Sequence, residues 1–524
     1  MLIDRHLKFQ LPHPWKDQVF ETKKIGTINF LVGPNGSGKS QFAKTLLGYM
    51  RSQGWDTRFL GTDRLNEMTR SPTIEQKFGG HFIQGFDKSR FGHLKTAGAE
   101  GSGIDTIVLL EERMDLRIQI EATLSHLFDR EILLEWDSGR LIPRAILRGH
   151  NQSYRLDRDE CHGIKELLVM LTHLYDDQKQ NLIIDEPELN LHPQYQSFFM
   201  QEVRKIAGDP SIDGKKKAVF LVTHSPFILD FRSEENLRGV ISFDLEYSVP
   251  KQVHNLLPSN FPYSSFMGRL NGHHKQFFFS DSPIFVEGIR DARIVEAMME
   301  AKGVSVAGAG SCIIDAGGSG EVSHYLELCR GLGKEAHFLY DLDSLFRGHL
   351  RFRIKNDESI RLQMAKAGHG KNLDTYCGSL DKKLTEVIDR IFANGVPSNL
   401  EPLVKYLHSF GPHRSKWDKQ SLRRARTSVV TATSRYRQDM VSVLSEEEVS
   451  DIEGRVEAIV AVLKERNIHL LPGGTLERYL PSYSGDEYAP TEVTCPPKTG
   501  PGNMLVLGRR KGERWPGRDI RRSR

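Results

Sequence analysis

Gly33-Pro34-Asn35-Gly36-Ser37-Gly38-Lys39-Ser40 is the stretch that most restricts what this chain can become. The apolar run Thr27–Val32 leads into it, and Phe42, Ala43, Leu46, Leu47 and Met50 follow at helical spacing. Strand, glycine-rich loop and helix in that order make a phosphate cradle. The glycines let successive backbone N–H groups turn toward a β-phosphate, Lys39 reaches the β and γ oxygens, and the Ser40 hydroxyl ligates Mg²⁺. Asn35, Gly36, Ser37, Gly38, Lys39, Ser40 and Gln41 are therefore the expected nucleotide-binding residues. A unit of this kind belongs to an α/β fold with a largely parallel sheet.

Two later apolar runs fit the same sheet. Leu182-Ile183-Ile184 predicts a buried strand that ends in two carboxylates, Asp185 to hold the Mg²⁺ shell and Glu186 to polarise an attacking water. Ala218–Val222 predicts another, ending at Thr223-His224, where the imidazole would meet the γ-phosphate.

Far downstream lies a second kind of chemistry. Pro283-Ile284-Phe285-Val286 is strand-like and leads into Glu287, with Asp291 four residues on, while Phe338-Leu339-Tyr340 leads into Asp341-Leu342-Asp343. Carboxylates gathered at the C-terminal ends of neighbouring parallel strands offer hard oxygen ligands, suited to Mg²⁺ or Mn²⁺. Two such ions stabilise the attacking and leaving oxygens of a phosphodiester displacement. Taken alone, a D-x-D pair also describes a solvated loop; its place after Glu287 and Asp291 gives it meaning.

Length allows two to four domains at about 100–200 residues each. The formal charge of the 524 residues is +4, and the stretch 509–524 alone contributes 8 − 2 = +6. That basic tail reads as a disordered terminus, with sequence-independent phosphate affinity as the alternative. The five cysteines are scattered without metal-binding spacing, which points to a reducing compartment. Neither a secretory leader nor an apolar run of membrane-spanning length is legible, so a cytoplasmic protein is expected. Between about 346 and 466 the texture turns charged and helical: Leu384, Val387, Ile388 and Ile391 form one stripe, and Ser445-Glu446-Glu447-Glu448 makes a capping box. The expected division is 1–270 for the nucleotide domain, 280–345 and 467–500 for the second α/β domain, 346–466 for a helical insertion within it, and 501–524 for the tail.

Asp185-Glu186-Pro187-Glu188-Leu189-Asn190-Leu191-His192-Pro193 and Thr223-His224-Ser225-Pro226 resemble the ABC-type ATPases whose Walker B reads D-E-P-E-x-x-L-H-P and whose switch strand ends T-H-S-P. The resemblance implies a composite ATP site closed by a signature loop from a partner head. Glu160-Cys161-His162-Gly163 occupies the matching position and retains only Gly163 of the usual pattern, and Arg64 stands where a Q-loop glutamine is expected. The order strand-E-G-x-x-D, then strand-D-x-D, resembles a Toprim domain. With an ABC head upstream the chain is similar to the overcoming-lysogenization-defect (OLD) family of ATP-dependent nucleases, which includes the nuclease subunits of Gabija-type antiphage systems and retron-associated relatives.

The resemblance implies that Glu287, Asp291, Asp341, Asp343 and, in Thr475-Leu476-Glu477, Glu477 hold metal at the cutting site, with a distal lysine for which Lys498 is the candidate. It also implies ATP and Mg²⁺ (or Mn²⁺ at the Toprim site) as cofactors, DNA as substrate, and self-association through the ATPase heads. A second defence-system protein or nucleoprotein would be a further partner, and no membrane is involved. Two other readings stay open: a topoisomerase, with Tyr340 or Tyr479 near the acidic residues, and an ATP-dependent DNA-binding clamp or sensor whose Toprim domain does not cut.

Overall fold

Apolar runs buried along their whole length organise the first of two compact units, Met1–Phe279 and Ser280–Arg524. The computed structural model describes residues 2–65, 103–128, 130–137, 140–147, 152–255, 261–346, 349–370, 372–394 and 396–479.

In the first unit, β1 (Ile28–Val32), β2 (Thr57–Leu60), β3 (Asn181–Asp185), β4 (Ala218–Val222), β5 (Val240–Ser242) and β6 (Lys251–Gln252) form one sheet in the order β6-β5-β1-β4-β3-β2. Every pairing is parallel except that of β6, which closes an edge antiparallel. Burial at each residue of β1, β3 and β4 is what a parallel sheet covered on both faces demands. α1 (Lys39–Ser52) sets Phe42, Ala43, Leu46 and Met50 into a core shared with Phe9 and Phe20 of an N-terminal hairpin. α2 (His162–Tyr175) is buried from Gly163 onward. The register pairs Asp185 with Val222 and Val222 with Leu31. The loop after β1, the carboxylates after β3 and the imidazole after β4 therefore emerge at one edge, where ligands of open α/β sheets bind.

In the second unit, β7 (Ile284–Val286), β8 (Ile313–Asp315), β9 (His337–Asp341) and β10 (Ile468–Leu471) make an all-parallel sheet in the order β8-β7-β9-β10. α3 (Ile289–Ala301) packs Ile294 and Val295 against Ile284, Val286, Leu339 and Leu471. Between β9 and β10 the described chain is helical from His349 to Lys464. The stripe Leu384, Val387, Ile388 and Ile391 is buried in the helix Leu373–Ala393, because its spacing keeps all four on one face. The helix Glu446–Lys464 starts at a capping box in which Ser445 Oγ accepts from Glu448 N at 3.1 Å and the Glu448 carboxylate accepts from Ser445 N at 3.0 Å. After these helices the chain returns to pair β10 with β9, Leu471 opposite Asp341. The architecture is an α/β P-loop head followed by a second α/β unit that carries a helical insertion.

Among the described residues no helix is long and apolar enough to cross a membrane. The four described cysteines, Cys161, Cys312, Cys329 and Cys377, are free.

Candidate active sites

Glycines and two aromatic side chains shape the phosphate loop. Gly36 and Gly38 adopt left-handed φ values of 82° and 86°, and a Cβ on Gly38 would lie 2.4 Å from the Trp15 ring. Trp15 is thus a floor under the loop, and the Tyr247 hydroxyl donates to Gly36 O at 3.0 Å from the opposite side of the sequence. Neither aromatic was singled out from the sequence; a tertiary contact over such separations leaves no local pattern.

Lys39 is buried, and its Nζ donates to the loop's own carbonyls, Gly33 O at 3.0 Å and Pro34 O at 2.7 Å. An anionic phosphate offers that ammonium a stronger acceptor than a neutral carbonyl. Ser37 is buried beneath the loop, while Asn35 and Gly36 are exposed at its apex and Gln41 on the first turn of α1. Ser40 Oγ donates to Asp185 Oδ1 at 3.1 Å, so the two residues expected to hold Mg²⁺ already face each other. Burial raises the Asp185 pKa.

Beyond β3 the backbone of Glu186 turns left-handed, with φ 49°. Arg64, 1% exposed, explains how that turn is held. Its Nη1 donates to Asp185 O at 2.8 Å and Gly61 O at 3.0 Å, its Nη2 to Glu186 O at 3.0 Å, and its Nε to the buried Glu166 of α2. The other Glu166 oxygen accepts from Asn190 Nδ2 at 3.2 Å. One guanidinium therefore ties the Gly61 loop, the Walker B turn and the signature-position helix together. Sequence reading placed Arg64 near the nucleotide and missed Glu166, which sits beside Lys165 at the start of a largely apolar helix.

Glu188 accepts from Thr223 Oγ1 at 2.8 Å and from His224 N at 2.6 Å, joining the Walker B turn to the switch. Burial and the Lys39 charge push the His224 pKa down to about 4, so its imidazole is neutral at physiological pH. Gly163 is buried in the first turn of α2, and a Cβ there would crowd Asn190 O at 3.0 Å, which accounts for the one signature glycine retained.

The second site is built at the C-terminal ends of β7 and β9. Glu287 follows β7, and its Oε1 accepts from Asp341 N at 3.1 Å and Ser344 Oγ at 3.0 Å. Asp291 lies in the first turn of α3 and accepts from Gly288 N at 2.9 Å, which makes it a helix-capping residue as well as a site carboxylate. Asp341 closes β9, and Asp343 sits in the single 3₁₀ turn Leu342–Leu345. Glu477, in the turn after β10, is close enough that its charge raises the pKa of both Asp291 and Asp341. Lys498 lies outside the described residues.

These carboxylates resist ionising together. Burial first, then the Asp343 charge, pushes Glu287 up to about 7; burial and then Glu477 push Asp291 up to about 6. Burial with Glu287, Asp291, Asp343 and Glu477 nearby raises Asp341 well above the usual carboxylate range, and burial raises Asp343. A cluster of mutually repelling hard oxygens fits a divalent cation, which would displace the protons and replace the repulsion. Even so, among the described residues no three His, Cys, Asp or Glu side chains converge closely enough to hold an ion as they stand. The physical reason is that protein donors occupy the carboxylates: the Asp341 amide and Ser344 on Glu287, the Gly288 amide on Asp291, and Arg423 on Asp343 at 3.3 Å. The backbone brings the ligands together, and their rotamers answer to these donors.

A pH dependence follows. The folded Glu287 keeps its proton up to about 7 while an unfolded one loses it near 4.5, so the native state binds more protons in that window. Stability is fullest below 4.5 and is lost as pH rises through 7; discounted for solvent screening, Glu287 accounts for on the order of 2 kcal/mol. Thermal unfolding in chelator should show this fall from acid toward neutral pH, and Mg²⁺ or Mn²⁺ should reverse it.

Both tyrosines near the acidic site are engaged within the fold. Tyr340 is fully buried with its hydroxyl 3.3 Å from Ser323 Oγ, and the Tyr479 hydroxyl accepts from Gly473 N at 2.8 Å. Neither supports the topoisomerase reading.

Residues 278–343 match the family model "Overcoming lysogenization defect protein-like, TOPRIM domain", a span that includes Glu287, Asp291, Asp341 and Asp343. Residues 148–230 match the model "AAA domain, putative AbiEii toxin, Type IV TA system", a span that includes Gly163, Asp185, Glu186 and His224. No curated protein sequence matches the chain. Solved structures with some likeness include Stu0660 of Streptococcus thermophilus, at 14% identity over 51% of this chain and 86% of that one with a TM-score of 0.28. Another is the ATP-binding cassette MJ0796 in a dimeric post-hydrolysis state bound to ADP and Pi, at 13% identity over 48% and 97% with a TM-score of 0.21. Those scores are too low to bear on function. With the two family matches lying on the two α/β units, this chain joins an AAA-type ATPase domain to an OLD-like Toprim domain, the domain pair of the OLD family that its motifs resemble.

Proposed function

We propose that the protein is an ATP-regulated, Mg²⁺- or Mn²⁺-dependent DNA endonuclease that works in the cytoplasm in antiphage defence. The observation that carries the reading is the gathering of Glu287, Asp291, Asp341, Asp343 and Glu477 from separate elements, with burial raising the pKa of four of them and neighbouring carboxylates adding to the rise in Glu287, Asp291 and Asp341. Structural carboxylates are not assembled against their own repulsion unless a cation compensates. Defence rests on the family resemblance alone.

In the head, Lys39 and the amides of Asn35–Lys39 bind the phosphates, with Gln41 beside them. Ser40 and Asp185 would hold Mg²⁺. Glu186 orients the attacking water, and the neutral His224 contacts the γ-phosphate. The Arg64 clamp keeps Glu186 in its turn. Lys39 and the Gly163 helix start would belong to the two halves of a composite site, so heads pair as a homodimer or a higher oligomer.

In the Toprim unit Glu287, Asp291, Asp341, Asp343 and Glu477 would hold the cations, with Lys498 as the added cationic group. Bound there, divalent ions supply charge stabilisation for the attacking and leaving oxygens of a phosphodiester. The domain bounds that go with this reading are 1–270, 280–345 with 467–500, the insertion 346–466 and the tail 501–524.

A second reading draws support from the ligands' failure to converge as they stand: an ATP-dependent DNA-binding clamp or sensor that acts through a partner. The purified protein, incubated with supercoiled and linear DNA, with Mg²⁺ or Mn²⁺ and with or without ATP, separates the two. Metal-dependent cleavage is the expected result, and nucleotide-dependent binding without cleavage under any of these conditions would establish the clamp.

A further inference from the structure

The helical insertion reaches into the acidic site. α4 (Lys419–Arg435) brings Arg423 Nη2 to 3.3 Å from Asp343 Oδ2. This is no chance meeting of surface chains, because α4 is fixed at two points beyond the contact. One turn on, Arg426 is buried, paired with Asp381 at 3.3 Å and bonded to Thr385 Oγ1 at 3.0 Å within the insertion. Two turns on, Thr431 Oγ1 lies 3.3 Å from where a Cβ of Gly474 would stand, and Gly474 O accepts from Leu342 N at 3.0 Å, inside the D-x-D turn itself.

Arg423 is under-used where it stands. A guanidinium carries five N–H donors in a planar fork, yet its Nε is buried without a hydrogen-bond partner among the described residues. The pairing with Asp343 engages the fork at one corner. A buried donor left unsatisfied costs free energy unless some state of the molecule uses it. The neighbouring Arg424 is exposed, and its positive charge also bears on Asp343. This end of α4 therefore turns cationic chemistry toward the carboxylates and carries a fork whose geometry matches a phosphate bidentately.

We propose that Arg423 is the built-in counter-ion of the Toprim site and its positioning residue for DNA: it neutralises Asp343 while no divalent cation is bound, and gives its guanidinium to a backbone phosphate when a cation takes Asp343. The second half of this assignment rests on the nuclease reading; the first half does not. Arg423 and a divalent ion compete for one carboxylate, so removing the arginine has effects of opposite sign on metal binding and on DNA cutting. A purely structural ion pair has no such signature.

The test uses the full chain carrying Arg423→Ala, Arg423→Gln or Arg423→Lys, with Mn²⁺ as the probe. Free Mn²⁺ is read by electron paramagnetic resonance without DNA, and cleavage of linear duplex is measured in parallel. Arg423→Ala and Arg423→Gln should bind Mn²⁺ about tenfold more tightly, since a competing cation beside a ligand has gone. Both should cut DNA about a hundredfold more slowly in kcat/KM, with the loss falling mainly on KM. Arg423→Lys should return Mn²⁺ affinity to the wild-type value and recover only part of the cutting, because an ammonium supplies the charge without the fork. Should Arg423→Ala not fold, the Gln and Lys variants carry the comparison. Unchanged or weaker Mn²⁺ binding in the neutral variants overturns the counter-ion role whatever the DNA result. Wild-type protein that never cuts DNA overturns the nuclease reading and the phosphate contact with it, and the Mn²⁺ titration still decides the competition at Asp343.

Discussion

Asp341→Ala should cut metal-dependent DNA cleavage by on the order of a thousandfold or more while ATP hydrolysis continues at the wild-type rate. Asp341 ends β9 between Glu287 and Asp343, and the charges of Glu287, Asp291, Asp343 and Glu477 all bear on it. It is thus the carboxylate on which most of the cluster's charges bear, and the one whose loss would leave the proposed cation site least complete. The nucleotide residues stand on a different sheet in a separately compact unit, which is why hydrolysis should survive. The substitution also carries its own folding control. Removing one of several repelling carboxylates should raise the melting temperature in chelator, so inactivity with greater thermal stability points to lost metal rather than lost structure. Glu287→Ala should lose cleavage similarly without that gain, because it leaves the Asp341 amide and Ser344 hydroxyl without their acceptor. Wild-type cleavage by Asp341→Ala protein would end the nuclease reading.

Lys39→Ala should weaken ATP binding by on the order of a hundredfold, whereas Glu186→Gln should bind ATP normally and hydrolyse it about a hundred to a thousand times more slowly. The difference lies in what each residue touches. Lys39 Nζ already sits among the carbonyls of the phosphate loop, so its removal takes away the loop's buried cation. Glu186 turns away from β3 on a left-handed backbone whose carbonyl Arg64 holds, and glutamine keeps that geometry while losing the charge proposed to polarise water. Fluorescent-nucleotide titration and phosphate release read the two quantities separately. Light scattering of the Glu186→Gln protein with ATP should show paired heads, since closure without turnover accumulates the assembled state; a monomer there would contradict the composite site.

Much of this was legible because it was local. The strands flanking the phosphate loop, β3 before Asp185 and β4 before His224, announce themselves as short apolar runs, and burial at every position of β1, β3 and β4 follows from parallel pairing. The insertion helices were readable from a four-residue stripe and a capping box. Chain between 52 and 148 read poorly, since the long antiparallel hairpin Arg130–Asp137 with Arg140–Leu147 carries charges among its apolar residues and a proline within its second strand. What composition and spacing could not supply were contacts between distant charges: Arg64 on Glu166, Glu188 on the His224 amide, Arg423 on Asp343. Motifs mark several of these residues singly without saying which residue each one meets, and only the fold shows the contact.

The pairing of β10 with β9 also governs the order in which the two units are completed on the ribosome. Glu477 follows β10, and β10 cannot join the sheet until the whole insertion has been synthesised. At ordinary elongation rates, on the order of ten seconds separate the emergence of Asp341 from that of Glu477. During that interval the growing chain already has a head able to bind nucleotide, but its acidic cluster lacks a wall. A polypeptide interrupted within the insertion would thus carry the nucleotide head beside an acidic cluster without Glu477, and under the proposed function such half-made copies would not cut.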